Sequence, residues 1–358
     1  MDTAVKASVG SGDVFERLIS ANCDPGALRP MVDPRSGKTY VSLATNELDE
    51  DGKRKRKNHL VANATTTMTK ESWLMLDRAV IEAAKPNLNV WNLLRSTSSY
   101  VIPDGMAVTV LQHQTESDIT DATVSMDGIR RAEEDRVEYG LENLPLPIFH
   151  KDFHFSAREI AASARQGIPL DTRNASLAGT KVAQKIEKIT LGTDSSFAYG
   201  GGTVYGLTNF PKRMTKTITT PSTPAPETHR TQVIEMITQA VEAYHYGPFD
   251  LVYGIGWLSA MQARYSTYDA TPLVEILRSI DRVNSVTMSE WLTGSNQYDL
   301  VLVQRDPNVA RAVVGMEMVT VQWDSHGGMQ KNYKVMAIMV PQFRADFNDN
   351  TGIVHGSV

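Results

Sequence analysis

Apolar positions recur at three- and four-residue steps from Asp171 to Gly192: Ala175, Ala178, Val182, Ile186 and Ile189 fall on one face, with polar residues on the other. This spacing predicts a helix of about 20 residues, roughly 30 Å long. Pro169 stops structure before it, the Asp171 carboxylate can cap its first amides, and Gly192 can take the left-handed conformation that ends it. A rod with so narrow an apolar stripe suits a scaffold across which a sheet or a neighbouring subunit lies. A second helix is predicted from Thr69 to Ala84, capped by Thr69 and Ser72 and stopped by Pro86, with Leu74, Met75, Val80 and Ile81 as its apolar face. A short helical segment then runs to about Ser96.

The period changes to two around Val108 and Val110, and a long polar passage returns to alternation by Ser156. That pattern predicts an extended hairpin over about 100–156 with an acid-rich tip. A two-stranded ribbon is marginal in water, so it needs another surface to rest on. Residues 1 to about 64 carry Pro25, Pro30 and Pro34 and no sustained period, which predicts an arm rather than a domain. The arm holds an abrupt charge dipole: Glu47, Asp49, Glu50 and Asp51, then Lys53, Arg54, Lys55, Arg56 and Lys57. The basic run is read first as solvated or salt-bridged, with a neighbour's acidic groove or nucleic acid as alternatives.

Past a Thr- and Pro-rich linker over 215–228, a mixed α/β lobe is expected. It holds a helix from His229 to Tyr244 with Val233, Ile234, Ile237 and Val241 on one side, a buried strand at 249–254, a helical segment to Ile280 and a strand at 298–305. A pair of strands follows, turned at Gly327-Gly328.

Composition narrows the reading. With 358 residues, 41% hydrophobic and 22% charged, the chain can bury a sizeable core in two or three lobes. No apolar run reaches the roughly 18 residues of a membrane span, and the N-terminus lacks the basic start and apolar centre of a signal peptide, so a cytoplasmic chain is expected. The single cysteine, Cys23, excludes an internal disulfide framework and reads as a bystander thiol. A net charge of −5 argues against a protein that coats itself in nucleic acid.

Candidate chemistry is sparse. Gly254-Ile255-Gly256-Trp257-Leu258-Ser259 follows a strand and opens a helix, the context of a dinucleotide fingerprint. Its third glycine is Ser259, and no acidic residue closes a second strand about 20 residues on, so a tight strand-to-helix turn is the simpler reading. Gly200, Gly201 and Gly202 lack the Lys-Ser/Thr of a phosphate loop and read as a turn. His150, Asp152 and His154 share a strand face and could hold a divalent metal, though surface hydrogen bonding is the commoner use of such residues. Glu133-Glu134 belongs to the solvated hairpin tip, without the pKa shift acid catalysis needs. The expectation is no catalytic, cofactor-binding or metal residues, and no enzyme.

The order of parts carries a resemblance. The polar arm, the hairpin closing on LPLPIFHKDFHFSAREIAAS, the long helix with VAQKIEKITLGT, the GLTNFP turn, the α/β lobe and the closing MVPQFRADFNDNTGIVHG resemble the major capsid proteins of tailed double-stranded DNA bacteriophages and the related encapsulin shell proteins. The resemblance covers about Thr66 to the C-terminus. It implies an α+β capsid fold: N-terminal arm 1–65, peripheral-domain helix region 66–99, extended loop 100–156, spine helix and peripheral domain 157–226, axial domain 227–325 and, at 326–358, return strands that bring the chain back to the peripheral domain of the first half. It also implies self-assembly into hexamers and pentamers of an icosahedral head enclosing double-stranded DNA, in the virion, after assembly in the host bacterial cytoplasm. Portal, scaffolding or decoration proteins are the other partners implied. The alternatives are an encapsulin-like compartment around cargo enzymes, from which the long arm tilts the reading away, and a nucleotide-binding enzyme using Gly254 to Ser259. Some family members cross-link through a lysine of the extended loop; none lies between Pro86 and His150, so a non-covalent shell is expected. Some lose a long N-terminal segment, whereas residues 1 onward stand here, so the chain is expected to be uncleaved or processed elsewhere.

Overall fold

The structure, a computed structural model, describes residues 5–6, 18–19, 21–48, 54–62, 68–116, 126, 136–137, 139–166, 172–221, 226–266, 268–346 and 348–358. Asp171, Pro169, Glu133-Glu134 and residues 49–53 of the charge dipole lie outside these residues.

The expected long helix is α4 (Arg173–Leu191), 19 residues, following helices α1 (Lys70–Ala84), α2 (Asn89–Thr97) and α3 (Ala157–Gln166). Its N-cap is Thr172, which makes no side-chain capping bond. Gly192 closes the helix at φ 84°, ψ 16°, as its position predicts. All five stripe residues, Ala175, Ala178, Val182, Ile186 and Ile189, are buried. α1 packs beside α4 in the same direction: Ser176, Thr180 and Gln184 of α4 meet Ala79, Ala83 and Asn87 in step. Gly179 allows this approach, because a Cβ there would stand 2.9 Å from the Val80 carbonyl.

α1 begins as expected, Thr69 Oγ1 accepting from Ser72 N at 3.2 Å. Its buried face differs from the expected one. Trp73, Leu76, Val80 and Ala84 are inside, whereas Leu74, Met75 and Ile81 are 58%, 54% and 43% exposed. The run Trp73 to Leu76 offers two apolar stripes, and the neighbours choose between them: Trp73 Nε1 donates to Pro30 O at 3.0 Å, and Val80 sits on Gly179.

Helix α4 lies on a four-stranded sheet of order β5–β15–β16–β8, formed by β5 (Ser99–Val101), β15 (Ala310–Ser325), β16 (Gln330–Phe343) and β8 (Phe149–Ser156). The β15–β16 turn is the expected one, Gly327 and Gly328 both having positive φ. Two corrections concern this sheet. Phe149–Ser156 is not the return arm of the hairpin but an edge strand paired antiparallel with β16. The hairpin itself is β6 (Val110–Glu116) with β7 (Tyr139–Pro145). And β15, placed by sequence in the α/β lobe, belongs to this sheet.

The second sheet has five strands in the order β11 (Met214–Thr217), β17 (Ile353–Ser357), β14 (Leu300–Gln304), β12 (Phe249–Tyr253) and β13 (Val283–Met288). β11 corrects the linker: its first residues pair in parallel with the C-terminal strand. β17 likewise returns to the lobe's sheet and not to the first half. β13 is a strand the sequence reading missed. Its apolar residues are interrupted by Asn284, Ser285 and Thr287, and Asn284 and Ser285 hold the buried Asp250 carboxylate at 2.7 and 2.6 Å. β12 and β14 are buried along their whole length because successive side chains enter two different cores. Val252, Val301 and Val303 join the core under α4, and Leu251, Leu300 and Leu302 join that of helices α5 (Pro226–Glu242), α6 (Leu258–Gln262) and α7 (Leu273–Arg278).

The arm is more structured than its prolines imply. β1 (Val5–Lys6), β4 (Arg54–Ala62), β3 (Thr39–Leu48) and β2 (Met31–Val32) form a small sheet in that order. The arm rests on its own chain: Leu28 packs with Val321 and Met336, and Arg29 pairs with Asp77 and covers the Trp73 ring. From Arg54 on, the basic run belongs to β4, and three of its residues are salt-bridged, Arg54 to Asp104 at 2.7 Å, Arg56 to Asp24 at 3.1 Å and Lys57 to Glu47 at 3.3 Å.

Candidate functional site

Among the described residues the β6–β7 hairpin pairs only with itself as a sheet. Alternation divides it into two faces. Leu111, His113, Glu142 and Leu144 turn toward the body, and Leu144 is buried. On the other face Tyr139 and Leu141 are each 66% exposed, beside Gln112 and Gln114. A small hairpin, β9 (Phe197–Tyr199) and β10 (Gly202–Val204), abuts the root. Gly200 and Gly201 form its turn at φ 59° and 76°, the conformation a two-residue hairpin loop requires. The third glycine serves contact: a Cβ on Gly202 would lie 2.0 Å from Asn143 O, and Asn143 Nδ2 donates to Gly200 O at 3.1 Å. Phe197 and Tyr199 are exposed here too, so apolar side chains of β7 and β9 face outward near one another.

Polar bonds fix the root. Arg311 Nε donates to Gln342 Oε1 at 2.6 Å, and Gln342 Nε2 donates to His113 Nδ1 at 3.0 Å. His113 Nε2 stands 3.2 Å from Glu142 Oε2, close enough to pair electrostatically though not aligned as a hydrogen bond. Lys212 Nζ bridges Glu142 at 3.4 Å and Asp349 at 3.1 Å. Burial holds the His113 imidazole below its ordinary pKa, and the Arg344 and Arg311 guanidiniums add to this against the pull of Glu142.

Two further buried polar groups organise the body, and sequence reasoning singled out neither. Glu187 of α4 is fully buried, and its carboxylate accepts from Val90 N at 2.6 Å and Trp91 N at 3.0 Å, at the N-terminus of α2. Leu88 at that helix's N-cap has no capping side chain, so the carboxylate is supplied from a distant element. Burial pushes the Glu187 pKa up to about 7 even though three backbone amides pull it down. In the five-stranded sheet, His355 Nε2 is 2.9 Å from Asp299 Oδ2, and Arg213 Nε donates to His355 Nδ1 at 3.2 Å.

The enzyme leads come apart in the structure. The amides of Gly254, Ile255, Gly256 and Trp257 bond to Asp299 O, Leu292 O, Gln297 O and Gly254 O, so that turn presents no free cradle for a phosphate. A Cβ on Gly254 would meet Gln297 O at 2.4 Å, so this glycine serves packing. His150 Nδ1 lies 3.6 Å from Asp152 Oδ1, and Asp152 lies 3.7 Å from Lys334 Nζ, all on an exposed strand face. Among the described residues no three His, Cys, Asp or Glu side chains gather as a metal would need, and no helix is long and apolar enough to cross a membrane.

Residues 62–356 match a family described as a family of unknown function, DUF6260. Among curated proteins no sequence match is found. Solved structures resemble the fold, three among them as follows. The virus-like particle from Pyrococcus furiosus is 15% identical, covers 80% of this chain and all of its own, and gives a TM-score of 0.58. The capsid of Myoviridae phage XM1 is 10% identical over 74% of this chain and 90% of its own, TM-score 0.58. A Mycobacterium phage Bobi chain is 13% identical over 74% and 89%, TM-score 0.53. The fold is therefore the α+β fold of tailed-phage capsid proteins, as the order of sequence elements implies.

Proposed function

The chain belongs to the DUF6260 family, and from that premise we propose that it is the major structural subunit of an icosahedral phage head, assembling with copies of itself into hexamers and pentamers around double-stranded DNA. The observation that carries this reading is the capsid fold matched over about three-quarters of the chain. The outward apolar residues support it: Tyr139 and Leu141 on the hairpin, and Leu74, Met75 and Ile81 on α1, are surfaces of the kind a neighbouring copy covers. In this reading 1–65 is the arm, β6 and β7 carry the extended loop, α4 is the spine, and the five-stranded sheet with α5, α6 and α7 is the axial lobe. The subunit is structural rather than catalytic, resides in the virion, and is assembled in the bacterial cytoplasm. Portal, scaffolding and decoration proteins are its candidate further partners.

Sedimentation velocity of the purified chain tests this: a boundary far faster than one chain is expected, and a single-chain boundary at every concentration contradicts it. No lysine lies between Pro86 and His150, so denaturant without reductant should leave one band at the mass of a single chain; a ladder of multimers contradicts a non-covalent shell. A compartment holding cargo is the alternative reading. Nuclease-resistant nucleic acid in particles from infected cells separates the two, the head carrying it and the compartment carrying protein.

A further inference from the structure

The described hairpin reaches the body through a relay in which each group has one role. A guanidinium only donates, so Arg311 Nε at 2.6 Å requires the oxygen of Gln342 to face it. The Gln342 amide nitrogen therefore faces His113 and donates to Nδ1 at 3.0 Å. His113 must then be neutral, with its proton on Nε2 beside Glu142. Gln342 is 1% exposed, which leaves no room for solvent to substitute for either bond.

We propose that His113 is a proton-operated latch that holds the root of the β6–β7 hairpin to the end of the β15–β16 sheet and releases it in mild acid. A proton added to Nδ1 sets two donors face to face. Turning the Gln342 amide over satisfies His113 but points its NH2 group at Arg311 Nε–H, so one of the two bonds is lost either way. The new cation also faces Arg311 from β15 and Arg344 just beyond β16, and Glu142 of β7 opposes them while shared with Lys212, itself paired to Asp349. Tyr100 of β5 lies under the Arg311 guanidinium, 4.6 Å from ring centroid to Cζ, and supplies no formal charge. Burial with two nearby guanidiniums keeps the imidazole neutral until the surroundings are acidic. The latch itself rests on these contacts alone; its consequence, a hairpin free to change its grip on a neighbouring copy, rests on the shell reading.

Hydrogen exchange of residues 110–116 and 139–145 in the full-length protein, corrected for intrinsic rates, reads the latch at about pH 7.5 and about pH 5. Protection should fall about tenfold on acidification, the equivalent of one hydrogen bond to a charged group. His113→Gln should show no such step. Gln342→Glu should abolish or reverse it, because a carboxylate accepts from Arg311 and from protonated His113 together. The latch is overturned if His113→Gln keeps the wild-type step, or if Gln342→Glu behaves as wild type; the second variant decides the matter where the first fails to fold. Particle formation is scored separately by microscopy, so loss of the shell reading and loss of the latch are different results.

Discussion

Replacing Glu187 by alanine is expected to destabilise the protein by about 2–4 kcal/mol, because Val90 N and Trp91 N lose their acceptor inside the core. Chemical denaturation followed by tryptophan fluorescence reports this directly, since Trp91 sits in that core. The conservative change Glu187→Gln keeps one acceptor and is expected to cost about 1 kcal/mol. It separates the hydrogen bonds from the charge. The carboxyl has a folded pKa of about 7 against an ordinary 4.5, so between these values the folded state holds a proton that the unfolded state has given up. Wild-type stability should therefore decline as pH rises from 4.5 to about 7, by up to about 3 kcal/mol from this group, and Glu187→Gln should flatten that slope. An alanine variant as stable as wild type would remove the capping role.

Gly206→Ala is expected to lower stability by about 3 kcal/mol and to reduce soluble yield. A Cβ at this position would stand 2.1 Å from Gly192 N and 2.4 Å from Ile189 O, both backbone atoms of the α4 C-cap. Gly192 N bonds to Lys188 O and Ile189 O to close the helix, and Leu207 N and Thr208 N bond to Thr190 O and Leu191 O. The GLTNFP turn is thus the partner of the last helical carbonyls, and it cannot back away without releasing them. Gly327→Ala is the control. Gly327, unlike Gly206, has positive φ and open space around it, so only the left-handed conformation is penalised, about 1 kcal/mol. Equal effects at the two positions, read by thermal unfolding, would mean that contact at Gly206 is not what matters.

Both predictions concern features of unequal legibility. The α4 stripe was readable because a core-facing helix repeats every three to four residues, and all five of its predicted positions are buried. The buried strands at 249–253 and 300–304 were readable as continuous apolar runs. Glu187 was not: on the helix it is one more polar residue, and only the arrival of α2's N-terminus turns it into a buried cap. The α1 face failed for a related reason. Four successive apolar residues, Trp73 to Leu76, give two stripes, and which one is covered depends on the arm and on Gly179. Strand β13 was hidden because its polar side chains serve a buried aspartate, which period and hydropathy do not record. The exchange of strands between lobes, β15 one way and β17 the other, depends on pairing across more than 100 residues and leaves no local mark.

The hairpin illustrates the same limit at the candidate site. Its existence followed from alternation, but its boundary did not, since Phe149–Ser156 alternates equally well as an edge strand of the main sheet. The relay through Arg311, Gln342 and His113 joins residues 229 positions apart and was invisible for that reason. The nucleotide alternative was raised by spacing, which does not record that the amides of residues 254–257 are each bonded to a backbone carbonyl.

The central claim is that this polypeptide exists to cover copies of itself. Negative-stain electron microscopy of the purified full-length chain tests it most directly. Closed, faceted particles of uniform diameter are the expected result. A field of separate single-chain globules across all concentrations and salt conditions would contradict it.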